Sequence, residues 1–165
     1  MKVLAGKTAI ITGSGRDTGI GKGIAMAFAD AGCNVVISDI GVAKDHRFNE
    51  SHIGTTDEMS TIVQEAKDKG VDAIAVACDV RSESEVENLI STTVKYFGAI
   101  DIMVNNAGIG YLMEPLVEFK EESWNAVLDV NLKGAFLCTK HSAKHMIDQG
   151  NGGRIINIAS QAAKS

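Results

Sequence analysis

The 165-residue chain is 45% hydrophobic and 22% charged, with a net charge of −5 and no run of like charge, which leaves length for one core and excludes the electrostatic footprint of a nucleic-acid or anionic-membrane binder. No apolar run is long enough to span a bilayer, and "MKVLAGK" at the start does not read as a signal peptide. Three cysteines, Cys33, Cys78 and Cys138, are odd in number and far apart, which argues against a disulfide framework and for a reducing, cytoplasmic setting.

"KTAIIT" (7–12) is a short apolar run that ends at glycines and predicts a strand. The segment "GKGIAMAFADAG" follows it with Ile24, Phe28 and Ala31 at helical spacing and Gly32 as a stop. "NVVISD" (34–39) predicts a second strand, and 55–70 a second helix with a threonine cap, early acids, late lysines and a closing glycine. Between them, "GVAKDHRFNESHIG" (41–54) is polar, lacks a period and exceeds a normal strand-to-helix connection, so it reads as an inserted loop. "DAIAVACDV" (72–80) and a helix over 82–98, with a capping box expected from Ser82 to Glu85, repeat the alternation. "IDIMVNNAG" (100–108) is the fourth strand. One long helix is expected over about 123–147, with Leu128, Leu132, Ala135, Phe136, Ala143 and Met146 as its buried stripe and His141 and His145 on its outer side. "RIINIAS" (154–160) is the fifth strand, delivering Ser160 to its carboxyl end. Unbroken apolar strands alternating with helices predict α/β architecture, a doubly wound parallel sheet of Rossmann-like form with helices on both faces.

The most chemical stretch is "ITGSGRDTGIGKG" (11–23). Glycines between a strand and a helix let the backbone turn tightly and approach a pyrophosphate, which rests on the free amides and positive dipole of the helix start. Gly13, Gly19 and Gly21 suit these roles, and Ser14 and Ile20 belong to the same cofactor-binding turn. Asp39 ends the second strand about twenty residues on, where a carboxylate accepts the ribose hydroxyls of NAD and repels the 2′-phosphate of NADP. A Walker-type loop is excluded because Lys22 is not followed by serine or threonine. Cys138, His141 and His145 share a spacing that can chelate zinc, but a metal site is not expected on a helix whose apolar stripe already explains the pattern. Phe97, Phe119, Trp124 and Phe136 are read as core or subunit packing.

Together "TGSGRDTGIG", "SD" (38–39), "CDV" (78–80), "NNAG" (105–108), "VNLKGAF" (130–136) and "GRIINIAS" (153–160) resemble the short-chain dehydrogenase/reductase family over essentially the whole chain. That resemblance implies the strand order 3-2-1-4-5 and a homodimer or homotetramer. It also implies hydride transfer between a nicotinamide and a small secondary alcohol or ketone. Asp79 would then bind the adenine amino group beside the backbone of Val80, while Asn106, Ala107 and Gly108 would line the adenosine ribose. Ser160 would hydrogen-bond the substrate oxygen and Asn131 would hold a water in a proton relay. The family's acid/base is a tyrosine a little beyond the serine, with a lysine one helical turn later. Neither stands in the sequence, and Tyr96, Tyr111 and Lys164 do not match those places. The expectation is therefore a single dinucleotide-binding domain over 1–165, incomplete at its C-terminus and inactive alone. A nucleotide-binding or regulatory module without chemistry is the alternative.

Two departures from the family pattern are legible. Gly13 and Gly19 are separated by five residues, "SGRDT", two more than the common motif, and 41–54 is inserted. Both extensions are expected to meet over the adenosine and pyrophosphate end as a lid, with Arg16, Lys44 or Arg47 reaching the pyrophosphate; a solvated, disordered loop is the alternative.

Overall fold

The computed structural model describes residues 2–43, 53–110 and 114–160, so Lys44, Arg47, Tyr111, Lys164 and most of the insertion lie outside the described residues. Five strands, β1 (Thr8–Thr12), β2 (Asn34–Asp39), β3 (Ala73–Ala77), β4 (Ile102–Asn105) and β5 (Arg154–Asn157), form one sheet. Their order is β3-β2-β1-β4-β5, with every pairing parallel. The chain reverses its winding between β1 and β4, so a crevice opens at their carboxyl ends, where such sheets place ligands.

Strand residues are apolar on both faces because both faces are covered. Ile10, Val36, Val76 and Met103 pack on one side with Val86 and Leu89 of α3 (Glu83–Phe97). On the other, Ile11, Val35, Ile37 and Val104 pack with Ala25 and Ala29 of α1 (Ile20–Asp30) and Met59 and Ile62 of α2 (Thr56–Asp68). Each fully buried aliphatic side chain of this kind contributes about 1.5–3 kcal/mol. The three cysteines are buried, and desolvation pushes the thiols of Cys33 and Cys138 up to about 12, too high for reactive thiolates at neutral pH.

The capping box expected at Ser82 does not form. Ser82 caps α3 without a side-chain bond to a helix amide, its hydroxyl meets the Ser84 hydroxyl, and the Glu85 carboxylate accepts the Asp79 amide at 2.9 Å. Thr55 does form a reciprocal box with Glu58 at the start of α2.

The long helix over 123–147 also needs correction. It comprises α4 (Glu121–Leu128), a π turn (Asp129–Gly134) and α5 (Ala135–Asp148). Ala126, Val130, Gly134, Cys138, Ser142 and Met146 form a buried series at spacing four, with Leu137 buried beside it. Of the row expected to be buried, Met146 is buried and Ala135 and Ala143 are half-buried, whereas Leu128, Leu132 and Phe136 face outward at 37%, 65% and 59% exposure. Small and polar residues mask the inner stripe: Gly134 leaves no room for a Cβ, which would lie 2.6 Å from Val80 Cγ2, and the Ser142 hydroxyl is satisfied by the Cys138 carbonyl. His141, expected outward, turns to α3 and places Nε2 2.9 Å from Glu83 Oε1, and His145 Nε2 is buried.

Candidate functional site

The glycine turn and the loop after β4 are one unit. Gly13 has φ +63°, a conformation that penalises side chains, and a Cβ there would stand 2.7 Å from Ala107 Cα. Gly21, in the first turn of α1, is tighter still: a Cβ would approach the Gly13 carbonyl oxygen to 2.4 Å and Asn106 Nδ2 to 2.7 Å. Asn106 Nδ2 donates to the carbonyls of Thr12 and Gly13, both at 2.9 Å. The Thr12 hydroxyl donates to Val104 O and accepts the amides of Asn106 and Ala107. Thr12 carries no ligand role in the sequence reading, yet its hydroxyl joins the two segments. Its signal was a hydroxyl at the very end of a strand, beside the turn that has to be positioned.

Gly19 caps α1 in an extended conformation with no side-chain bond, and the first turn holds no acid. The first amides of α1 and their positive dipole end are thus left for an anion. Ile20 stands 71% exposed at this edge of the crevice. Ser14, expected among the cofactor contacts, is fully buried: its hydroxyl donates to Ile11 O and accepts the Ser38 amide, while its own amide donates to Ser38 O. It ties β1 to β2, and both groups are spent on that tie.

Asp39 sits at the end of β2 with its carboxylate ringed by backbone amides. Gly15 donates to Oδ2 at 3.0 Å, and Ile40 and Gly54 donate to Oδ1 at 2.9 and 3.1 Å. Burial pushes the carboxyl above the ordinary aspartate value, and the three amides and the charge of Arg16 pull it back. Gly54 lies backbone to backbone on Gly15, where a Cβ would be 2.4 Å from the Gly15 carbonyl carbon, and the Gly41 amide donates to the Gly54 carbonyl. The described ends of the insertion are therefore zipped together and docked on the lengthened glycine turn, which is the meeting of the two extensions. Gly15 and Gly54 went unremarked in the sequence because neither belongs to a spaced motif.

Asp79 and Val80 close the far side. Asp79 is 8% exposed and held by Arg81, whose Nε lies 2.9 Å from Oδ1 and whose Nη2 lies 2.7 Å from Oδ2. An adenine amino group would have to join or displace this fork. Val80 is buried against Gly134.

The π turn carries Asn131 beside Gly108. Its side chain makes a reciprocal pair with Ile109, accepting the amide and donating to the carbonyl, each at 2.9 Å. Such turns recur at functional sites because they redirect one side chain out of the helical register. Ser160 is exposed, three residues beyond the end of β5. The ends of β4 and β5 are joined by Asn105 Nδ2, which donates to Asn157 Oδ1 at 2.7 Å and to the Thr139 hydroxyl at 2.9 Å. The crevice thus brings Gly13, Gly19, Ile20, Gly21, Asn106, Ala107 and Asp39 to the carboxyl end of the sheet, with Asn131 on the helix behind the β4 loop.

The chain matches the model of the short chain dehydrogenase family over residues 7–165. It is 37% identical over 157 residues to 2-dehydro-3-deoxy-D-gluconate 5-dehydrogenase of Escherichia coli (strain K12), covering 95% of this chain and 54% of that protein. Likeness to the 3-oxoacyl-(acyl-carrier-protein) reductase FabG of Staphylococcus aureus (strain Mu50) is 36% over 154 residues, 93% of this chain and 56% of the other. Among solved structures, a short-chain type dehydrogenase/reductase from Mycobacterium marinum superposes with TM-score 0.84 at 32% identity, over 99% of this chain and 60% of that one. An NAD+-bound xylitol dehydrogenase does so with TM-score 0.84 at 30% identity, over 98% and 56%. The chain spans about half the length of the curated relatives it matches.

Proposed function

The chain belongs to the short chain dehydrogenase family, and from that premise we propose that it is the cofactor-binding part of an oxidoreductase that binds NAD and acts on a small secondary alcohol or ketone. The observation that carries this reading is the Gly13–Gly21–Asn106 cradle, where side chains are excluded to within 2.4–2.7 Å beside an uncapped helix start. A pyrophosphate fits that place because amides and dipole meet it without a competing carboxylate. Asp39 would receive the adenosine ribose, and Asn106, Ala107 and Gly108 would flank it. When bound, the nicotinamide supplies the hydride acceptor or donor. Ser160 would hold the substrate oxygen by a hydrogen bond, and Asn131 keeps the β4 loop fixed behind the crevice while its second amide N–H would hold a water for proton exchange.

NAD is favoured over NADP because a 2′-phosphate beside Asp39 pairs like charges in a partly desolvated site. Titration of the chain with both cofactors is expected to show tighter binding of NAD by at least tenfold, about 1.4 kcal/mol. Equal or tighter NADP binding would contradict the preference, and binding of neither would contradict the cofactor assignment.

Self-association is part of the same proposal. Trp124, Leu128, Leu132 and Phe136 form an exposed apolar row at spacing four, opposite the buried stripe, and an amphipathic helix with a second apolar face needs a second partner. The partner proposed is another copy, giving a dimer or tetramer. Sedimentation should show a species larger than a monomer that Leu132→Glu reduces, and a strictly monomeric wild type would refute it. No helix among the described residues is long and apolar enough to cross a membrane, in keeping with the cytoplasmic setting we propose.

A further inference from the structure

The lengthened glycine turn runs directly into the open start of α1. The Gly19 amide donates to the Arg16 carbonyl at 3.1 Å, closing a tight turn with Asp17 and Thr18 at its corners. Asp17 is the single acid between Gly13 and Gly21. A carboxylate just ahead of a helix is the natural acceptor for its first amides, and the dipole draws it there. The Asp17 carboxylate is instead met by Lys22, whose Nζ donates to Asp17 Oδ1 and, at 2.9 Å, to Glu65 Oε1 of α2. Lys22 lies in the first turn of α1, where the dipole disfavours a cation, yet its side chain is only 17% exposed. The two carboxylates offset that cost and hold the amine above the ordinary lysine range, Asp17 the more strongly. Ile62 and Ala66, on either side of Glu65, are buried, so the helix that fixes the ammonium from behind is anchored in the core.

We infer that Lys22 is a positioning residue for the cofactor's pyrophosphate, holding the Asp17 carboxylate between itself and solvent and off the amides that open α1. This rests on the cofactor reading proposed above and adds to it. A carboxylate seated on those amides would take the hydrogen bonds that phosphate oxygens need and would repel the phosphates as well. A turn that carries an acid to the helix start therefore needs a cation to restrain it. Lys22 acts through Asp17, with its own charge already shared between Asp17 and Glu65.

The test is NAD titration of Lys22→Met, which keeps an unbranched side chain and removes the charge. Affinity is expected to fall about tenfold, comparable to the strength of a side-chain cap on free helix amides. Adding Asp17→Ala should restore it to near the wild type, because the competing carboxylate is then gone; alanine is used since asparagine would also cap the helix. Asp17→Ala alone should bind NAD as the wild type does, and Lys22→Arg, which can still bridge both carboxylates, should keep its affinity. Unchanged affinity in Lys22→Met overturns the inference. So does a loss that persists when Asp17→Ala is added, which would mean that the lysine meets the pyrophosphate itself or serves only the fold. A loss in Asp17→Ala alone overturns it equally, whether or not Lys22→Met folds. A wild-type chain that binds no NAD overturns the inference and the cofactor reading together.

Discussion

Gly21→Ala is expected to abolish measurable NAD binding and to destabilise the chain by about 1–3 kcal/mol, the usual cost of forcing an atom into a closed site. The Cβ would meet the Gly13 carbonyl oxygen at 2.4 Å, Asn106 Nδ2 at 2.7 Å and Ser14 Cα at 2.7 Å. Two of those contacts are backbone, so relief requires α1 to move away from β1 and from the Asn106 staple. That movement withdraws the amides offered to the pyrophosphate, and binding is lost along with stability. Gly23→Ala is the matched control. It lies two residues on in the same helix with nothing within 4 Å of its Cβ, so alanine should raise stability by about 0.5–1 kcal/mol through helix propensity and leave NAD affinity unchanged. Thermal unfolding and NAD titration of both variants check the pair, and similar behaviour of the two would discredit the cradle.

Ser160→Ala is expected to lower turnover by about a hundred- to a thousandfold, the cost of removing one donor to a developing oxyanion, with NAD affinity nearly unchanged. The measurement needs an active protein that carries residues 1–165 joined to a half supplying the family's tyrosine and lysine. Residues 1–165 alone should bind cofactor without turning over, because general acid/base help contributes about a hundred- to ten-thousandfold and no suitable donor stands in them. Neither Tyr96 nor Tyr111 has a lysine one helical turn later. Tyr96 is also committed elsewhere, its phenol donating to Asp72 at 3.4 Å and pushed above the ordinary tyrosine range by that carboxylate. Steady-state kinetics on the joined protein separate the effects: a fall in kcat alone is predicted, whereas an unchanged kcat would remove Ser160 from the chemistry. Robust turnover by the 165 residues alone would show that the acid lies elsewhere.

The sheet was legible because its strands are apolar on both faces and each helix ends at a glycine the backbone needs, as at Gly32, Gly70 and Gly98, all with positive φ. Gly13, Gly19 and Gly21 were legible for the same reason: the turn chemistry is local. What escaped depends on contacts between distant segments. The Thr12 hydroxyl, the Asn106 staple and the stacking of Gly54 on Gly15 bring together residues far apart in sequence, and no spacing encodes them. The inner stripe of α4 and α5 was misassigned because hydrophobicity alone cannot tell a face buried by small residues such as Gly134 and Ser142 from one left outside by bulky ones such as Leu132 and Phe136. The Ser82 box failed because Glu85 had a competing donor, the Asp79 amide at the end of the preceding loop.

The central claim is that residues 13–21 and Asp39 together receive NAD. A crystal structure of the chain with NAD tests it most directly. The account predicts the pyrophosphate on the amides at the start of α1, around Gly19 to Gly21, and a ribose hydroxyl on Asp39. NAD bound away from the Gly13–Gly21–Asn106 cradle, or a well-folded chain that takes up none at saturating concentration, would contradict it.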